Sequence, residues 1–347
     1  MTHDPKAFCR RFGLTYVETS ALQLQRRRCG KGFAYRDGNG RTINDKAVKA
    51  RINQLAIPPA WSAVCIAADE RAHIQAIGRD VEGRLQYRYH SEWDKARATA
   101  KVTRLKRLGA SLPRVRNAVK KALAAPGLTR TKVVAAVVRL IDRALLRPGN
   151  EEYARSEGGR GAATLLKSDV AINGDQVILM FKGKGGKDVR RELRDPLLAR
   201  VLRKLSASRG QRLFSSSDGN GGKRPVTARE VNDFLAEASG SSISAKDFRT
   251  FRASATALAV LTEHNGHESE MLRKKAIVAA ADEASKILVN TRSVARASYI
   301  HPSVIEAYEA GKLKTSLLRG RMRKGLSRME SALMRFLGSR ADAHSRR

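Results

Sequence analysis

Acidic residues are scarce in this sequence. Of its 347 residues, 33 are Asp or Glu and 68 are Lys or Arg, which gives a formal net charge of +35. A charge of this size disfavours self-association and attracts polyanions. Nucleic acid is the polyanion that basic folded proteins usually bind, so DNA is the expected partner. Charge alone fits a protein that coats nucleic acid as well as it fits an enzyme.

Cysteines and long apolar runs are also few. The three cysteines, Cys9, Cys29 and Cys65, have no paired spacing. They argue against a disulfide framework or a cysteine-based zinc site and fit a reducing cytosol. No apolar run approaches the roughly 20 residues of a membrane helix, and no signal-peptide pattern opens the chain. We therefore expect a cytoplasmic protein with no membrane partner.

The scattered acids make a metal site improbable on chemical grounds. Adjacent pairs such as Glu151 and Glu152 do not face the same way on a helix. His264 and His267 lie three residues apart but have no cysteine nearby. We predict no metal ligands and no cofactor.

Hydrophobic patterning predicts an α+β fold that begins with a β-rich domain over residues 1–92. The first 30 residues are polar and basic, and we expect them to be loosely held. A hairpin is predicted over residues 32–43, because its Asn39-Gly40 pair supplies the positive φ that such turns need. Further antiparallel strands are predicted over residues 61–67 and 84–90.

A mainly helical domain is predicted over residues 93–311, followed by a basic helical tail over residues 312–347. The domain contains a strongly apolar helix at 129–146. We predict a small three-stranded antiparallel sheet and an exposed Ser/Gly-rich loop at 213–223. The sheet strands are predicted at 163–166, 176–182 and 188–193. Helices are predicted at 195–206, 226–238, 246–262 and 269–288, with a tail helix at 313–337.

Tyr299 is the candidate nucleophile. A tyrosine has a pKa of about 10 and needs nearby positive charge to react at neutral pH. Arg292 and Arg296 precede it by seven and three residues and share its face if this stretch is helical. Taken alone, a single tyrosine is more commonly a core or surface residue than a nucleophile.

Four other residues complete a set that suits attack on a phosphodiester. Two guanidinium groups, Arg147 and Arg249, can stabilise the charge that develops on the phosphate oxygens. Lys184, in a glycine-rich turn, can protonate a departing 5′-oxygen, although a solvated hairpin lysine is the simpler interpretation. Asn290 adds an amide. The glycine run lacks the Gly-Lys-Ser/Thr ending of a nucleotide-binding loop, so we expect no ATP site.

From about Gly30 to Gly311 the chain resembles the small type IB DNA topoisomerases of bacteria and poxviruses. The similar segments of the amino-terminal half are Ile52-Asn-Gln-Leu-Ala-Ile-Pro-Pro-Ala-Trp61, His73-Ile-Gln-Ala and the stretch from Gly78 to His90. The resemblance implies a cap domain and a catalytic domain that clamp double-stranded DNA as a monomer. It also implies single-strand cleavage, strand rotation and religation that relax supercoils without ATP or metal.

The resemblance also implies residue roles. Tyr299 would form a 3′-phosphotyrosyl link, Arg147 and Arg249 would clamp the scissile phosphate, and Lys184 would be the general acid. Asn290 lies where viral members have histidine, and Pro148 lies where members often have a small apolar residue. The residues implied to touch DNA are Gln86, Tyr87, Tyr89 and Tyr153.

Two alternatives remain open. A tyrosine recombinase or integrase shares the Arg, Lys and Tyr set, and Lys246 to Arg249 fits its (His/Lys)-x-x-Arg element. The amino-terminal motifs resemble the topoisomerase cap instead, which favours relaxation. A non-enzymatic architectural DNA-binding protein would explain the charge but not the ordered motifs.

Overall fold

The computed structural model describes residues 4–156, 158–217, 222–266 and 269–344. It divides into two compact units, Met1–Ala100 and Lys101–Arg347. The boundary falls inside a long helix, Ser91–Ala124 (α3).

The first unit is built on a five-stranded antiparallel sheet. Its strand order is β2-β1-β3-β4-β5. Leu24, Val64, Ile66 and Ala76 of the sheet and Ile52 of a covering helix are buried together. The elements are α1 Pro5–Arg11, β1 Leu24–Cys29, β2 Gly32–Arg36, α2 Lys46–Gln54, β3 Ser62–Ile66, β4 Ile74–Arg79 and β5 Leu85–Tyr89.

The start of the chain is more ordered than predicted. The expectation of a loosely held stretch over the first 30 residues is wrong, since α1 and β1 lie within it and β1 pairs with both β2 and β3. Polarity misled the prediction, because four of the six β1 residues are exposed or half-exposed polar side chains while Leu24 is buried. The predicted turn at Gly40 is confirmed, with φ +80° and an Arg36–Thr42 bridge across it.

The second unit is mainly helical. The elements up to its small sheets are α4 Arg130–Ala144, α5 Glu151–Ser156, β6 Val170–Asn173, β7 Gln176–Lys182, β8 Asp188–Arg194, α6 Pro196–Ser206, β9 Ser215–Ser217 and β10 Lys223–Pro225. The remaining elements are α7 Ala228–Ser239, α8 Ala245–Glu263, α9 Glu270–Leu288, α10 Arg292–Val294, a π-helix at Ala295–Tyr299, α11 Pro302–Glu309, α12 Ser316–Arg319 and α13 Arg328–His344.

A central pair of helices organises this unit. Along α4, Val133, Val137, Leu140 and Ile141 are buried, as its apolar pattern predicts. Helix α8 is buried along most of its length and packs against α9 and α13. The antiparallel sheet β6-β7-β8 lies beside these helices and contributes residues to the same core.

Three element predictions in this unit need correction. Ala162–Thr164 forms a 3-10 turn instead of a strand, because Thr164 Oγ1 accepts a 2.9 Å hydrogen bond from Gly161 N; the first sheet strand is β6. The predicted loop at 213–223 contains β9 and leads into β10, with residues 218–221 outside the described residues. The predicted tail helix is two helices, α12 and α13, separated by a segment with Gly320 and Gly325.

Helix α13 belongs to the core of this unit. Leu333, Phe336 and Leu337 are buried in it. None of the helices in the described ranges combines the length and apolar composition that a membrane span requires.

Candidate active site

Arg249 is a buried cation near the start of α8. A capping box fixes that start, since Asp247 Oδ2 accepts hydrogen bonds from Ser244 N (2.8 Å) and Ser244 Oγ (2.9 Å). The sequence therefore correctly places Arg249 in the first turns of a helix. Its side chain is 3% exposed. Burial, which is the main effect, lowers the pKa of this guanidinium group, and the charge of Arg147 adds to that lowering.

Arg249 connects the carboxy-terminal ends of two helices. Its Nη1 donates to the carbonyl of Leu145, and its Nη2 donates to Leu288 O at 3.0 Å. The residues that follow α4 and α9, Leu145 and Val289, are both in the left-handed region, with φ 54° and 46°. Carbonyls at a helix end carry partial negative charge, which suits a cation. The Nε–H of Arg249 is buried and has no hydrogen-bond partner in the described part of the chain.

Tyr299 ends the π-helix and faces Arg249. Its ring centroid lies 4.9 Å from Cζ of Arg249, and the residue is 8% exposed. Ser254 of α8 fixes the backbone here, because its Oγ donates to Tyr299 O at 3.2 Å and accepts from His301 N at 3.0 Å. π-Helical turns recur at functional sites.

The pKa of the Tyr299 phenol is lowered. Burial alone raises it, but the positive charges of Arg249 and then Arg147 outweigh that effect. The predicted partners of the phenol need correction, because Arg292 instead pairs with Asp282, with 2.5 Å between Nε and Oδ1. The prediction assumed one regular helix, in which residues seven positions apart share a face. It was wrong because α10 and the π-helix do not share one regular periodicity.

Arg147 lies in the irregular segment after α4. Its carbonyl accepts a 2.8 Å hydrogen bond from Ala162 N. The contact requires glycine at position 161, since a Cβ there would lie 2.5 Å from Gly149 N and 2.7 Å from Arg147 O. This close approach of two backbone segments holds Arg147 beside Arg249 and Tyr299.

Lys184 and Asn290 each follow a residue that lines one small cavity. Lys184 is exposed on the turn Lys184–Gly186 between β7 and β8, directly after Gly183 of the cavity wall. Asn290 follows Val289, also of the wall. Its Oδ1 accepts from Thr291 N at 3.2 Å, whereas its Nδ2 is buried with no hydrogen-bond partner among the described residues.

The cavity wall is cationic and apolar. No described carboxylate lines it, and its residues are Leu145, Leu146, Arg147, Arg160, Phe181, Gly183, Val189, Arg191, Arg249, Leu288 and Val289. Buried donors without partners next to clustered guanidinium groups suit an anionic ligand. Within the described ranges there is no cluster of three His, Cys, Asp or Glu side chains that could hold a metal.

Two arginines of this wall were missed from the sequence. Arg160 pairs with Asp169, with 2.8 Å between Nε and Oδ2. Arg191 donates from Nη2 to Ile287 O. Strand periodicity could have indicated that Arg191 faces the core, because alternate residues place it on the same face as Val189 and Leu193. A charged side chain on the apolar face of a strand needs a polar partner within the protein.

The predicted DNA-contacting residues of the first unit lie on β5. The rings of Tyr87 and Tyr89 stack with centroids 5.8 Å apart, and Arg97 lies 5.2 Å from the ring centroid of Tyr89. Gln86 Nε2 donates to Asp80 Oδ2 at 2.8 Å. The backbone of Tyr153 lies in α5, but its side chain is outside the described residues.

A phenol beside Arg249, which lines a cavity without carboxylates among its described residues, suits an anionic, phosphate-like group. Sequence comparisons give the class of protein. Residues 90–323 match the family described as eukaryotic DNA topoisomerase I, catalytic core, and residues 32–80 match the bacterial DNA topoisomerase IB, N-terminal domain. A "DNA topoisomerase 1B" of Acanthamoeba polyphaga mimivirus is 30% identical over 305 residues, covering 85% of this chain and 90% of that protein.

The chain therefore belongs to the type IB DNA topoisomerases. This confirms the resemblance seen in the motifs and favours relaxation over the recombinase alternative. The protein is an isomerase that acts on DNA, cleaving and religating one strand.

Proposed function

We propose that Tyr299 is the nucleophile of this topoisomerase. Its phenolic oxygen attacks the scissile phosphorus, the bond to the 5′-oxygen breaks, and a 3′-phosphotyrosyl ester forms. The observation that supports this role is the lowered pKa of the Tyr299 phenol between Arg249 and Arg147. Because the phenol loses its proton more readily there, more of the reactive anion is present near neutral pH.

Arg147 and Arg249 clamp the scissile phosphate in this proposal. Attack adds negative charge to the phosphate oxygens, and guanidinium groups already in place stabilise that charge without reorganising. The Nε–H of Arg249 and the Nδ2 of Asn290 are buried donors without partners. A phosphate oxygen beside each would satisfy them when DNA is bound.

Lys184 is the proposed general acid. The departing 5′-oxygen needs a proton as its bond to phosphorus breaks, and an ammonium on an exposed turn can reach DNA that lies over the cavity. Gly185 and Gly186 both have positive φ, 71° and 69°. Glycine adopts that backbone without steric cost, which allows a tight turn behind Lys184.

After cleavage, the 5′-hydroxyl end rotates about the intact strand and then attacks the phosphotyrosyl ester, which restores the strand and frees Tyr299. The ester conserves the energy of the phosphodiester, so no ATP is needed, and the roles proposed for the two arginines and Lys184 use no metal. We infer that the substrate is double-stranded DNA, held by a monomer with Gln86, Tyr87, Tyr89 and Tyr153 in contact with it. The net charge of +35 supports both inferences, since it attracts DNA and repels a second copy. The place of action would be the bacterial nucleoid.

The experiment is relaxation of a supercoiled plasmid that has no defined recombination site, in EDTA and without ATP. Topoisomerase action predicts a ladder of topoisomers of unchanged length. A recombinase would leave this plasmid supercoiled, because it needs paired sites. Duplex binding should also weaken steeply with salt, since each phosphate contact releases a counterion. A nearly flat salt response would contradict the clamp.

A further inference from the structure

Arg191 is a cation of the cavity wall that donates to a backbone carbonyl. It lies on β8, and its Nη2 donates to Ile287 O near the end of α9. Arg191 forms no salt bridge with any carboxylate in the described ranges. Its neighbour Arg190, on the opposite face of the strand, pairs with Glu192 at 2.6 Å in the ordinary manner of an exposed arginine. A half-buried cation bound to a carbonyl therefore has a task other than ion pairing.

The carbonyl belongs to a strained helix end. Val289 has φ 46° and ψ 64°, a left-handed conformation that is costly for a β-branched residue. Such strain persists only where the surroundings enforce it. Two guanidinium groups from other elements hold consecutive carbonyls just before it: Arg191 on Ile287, and Arg249 on Leu288 at 3.0 Å.

The strained turn determines the position of Asn290. After Val289 the chain reverses so that Asn290 N donates to Ser285 O at 3.0 Å. The Asn290 Nδ2 is left buried and without a partner in the described part of the chain. If Val289 had an ordinary right-handed conformation, the Asn290 side chain would start from another position and point in another direction. The direction of the Asn290 amide therefore depends on the guanidinium groups that bind the carbonyls of Ile287 and Leu288.

We propose that Arg191 is a positioning residue for Asn290: by holding the Ile287 carbonyl it maintains the left-handed turn that directs the Asn290 amide at the scissile phosphate. The inference rests on the proposed function, in which Asn290 binds that phosphate. In this proposal Arg191 acts through the turn, since its Nη2 is bound to the Ile287 carbonyl. It also links strand β8 to the helix end from which Asn290 projects.

A double-mutant cycle on single-turnover cleavage tests this. The probe is a duplex oligonucleotide whose short 5′-leaving fragment dissociates after cleavage. Arg191→Met should slow cleavage by about 100-fold, because a displacement of about 1 Å can cost that much in rate. In an Asn290→Ala background the same change should cost less than about threefold, since no amide remains to be positioned. In a Lys184→Ala background it should keep its full cost.

The cycle separates failure of this inference from failure of the proposed function. If Asn290→Ala slows cleavage but Arg191→Met costs the same factor in both backgrounds, Arg191 acts independently of Asn290 and only the inference is overturned. If Asn290→Ala leaves the rate unchanged, both the phosphate role of Asn290 and the inference are overturned. A rate for Arg191→Met within about threefold of wild type would also overturn the inference.

Matched variants control for folding. Arg190→Met removes an exposed cation from the next position of β8 and should leave cleavage unchanged. Arg191→Lys retains one donor for Ile287 O and should cost at most about tenfold, the scale of one hydrogen bond. Should Arg191→Met fail to fold, the cycle is run with Arg191→Lys. The smaller loss of cleavage rate that this variant causes must likewise disappear in the Asn290→Ala background. An additive cost there would contradict the positioning role.

Discussion

The guanidinium carbon of Arg249 lies 4.9 Å from the ring centroid of Tyr299. The same guanidinium group is tied to the carbonyls of Leu145 and Leu288 at the ends of two helices. The cation is therefore fixed in place by the fold before any DNA arrives. A group that needs no reorganisation during the reaction stabilises developing charge most effectively.

The first prediction concerns the pH dependence of cleavage. Arg249 and Arg147 lower the pKa of Tyr299, so the wild-type rate should rise with pH and level off below the ordinary tyrosine value of about 10. Arg249→Met should move that levelling to higher pH and reduce the neutral rate by about 100- to 1,000-fold. The measurement is single-turnover cleavage across pH. Exposed Arg229→Met is the control, and an unchanged pH midpoint in Arg249→Met would contradict the coupling.

The same coupling has a defined sign for stability. Because the pKa of Tyr299 is lower in the folded protein, folding favours the phenolate. The stability that this gives is fully present only above the pKa of the unfolded state, about 10, and is lost as the pH falls through the pKa of the folded state. Tyr299→Phe should therefore leave the free energy of unfolding at neutral pH unaffected by this linkage.

The second prediction concerns Lys184. Lys184→Ala should slow cleavage of normal DNA by about 100- to 10,000-fold, the usual contribution of a general acid. A 5′-sulfur leaving group needs no proton, so cleavage of that substrate should be nearly restored. Lys187→Ala, at the other end of the same turn, is the matched control. Equal slowing on both substrates would remove Lys184 from the acid role.

The third prediction separates activity from stability at Asn290. Asn290→Ala should reduce the cleavage rate by about 100-fold, the effect of losing one donor to the transition state. It should change thermal stability little, because the Nδ2 it removes has no partner in the described structure and the Thr291 N–H that loses Oδ1 belongs to an exposed residue. Asn290→Asp should be slower still, since a carboxylate repels the phosphate. A stability loss that accounts for the rate loss would point to a structural role.

The fourth prediction concerns the buried pair that holds α13. Glu330 is 2% exposed and accepts hydrogen bonds from Arg116 at 2.8 Å and Arg252 at 2.9 Å. Glu330→Ala should cost about 1.5–3 kcal/mol of unfolding free energy at pH 7, because half-buried Arg116 and Arg252 lose the buried carboxylate they share, while Arg116 keeps Asp142. The measurement is denaturant unfolding, with exposed Glu309→Ala as control.

The pH dependence of this pair follows from its pKa. Burial raises the pKa of Glu330, but hydrogen bonds and charge from Arg116 outweigh burial and lower it to about 2. Its contribution is thus present above the ordinary value of about 4.3 and is lost as pH falls towards the folded value. The deficit of Glu330→Ala against wild type should shrink over that range. A deficit that is constant with pH would contradict the pairing.

Much of the fold could be predicted from periodicity and turn chemistry. The buried face of α4 and the hairpin turn at Gly40 both follow from local patterns. The mistaken strand at 163–166 shows the limit. A short apolar run fits a strand or a turn equally well, and a tertiary contact, the approach of Gly161 to Gly149, decides between them.

The arrangement of the site was harder to predict from the sequence than the fold was. Arg191 stands beside Arg190 in a run of charged residues, and only the alternation of the strand marks it as facing the apolar side. The left-handed Leu145 and Val289 could not be expected, because residues of these types rarely adopt that conformation. Long-range contacts with Arg249 impose it, and local patterns do not encode such contacts.

The most direct test of the central claim is identification of the residue that carries the DNA. Enzyme is incubated with supercoiled plasmid in EDTA, trapped with denaturant and digested with protease, and the DNA-linked peptide is sequenced. The account predicts a phosphotyrosyl bond to a 3′-end at Tyr299, and no adduct with Tyr299→Phe although that variant still binds duplex. An adduct on any other residue, or a Tyr299→Phe enzyme that still relaxes plasmid, would contradict it.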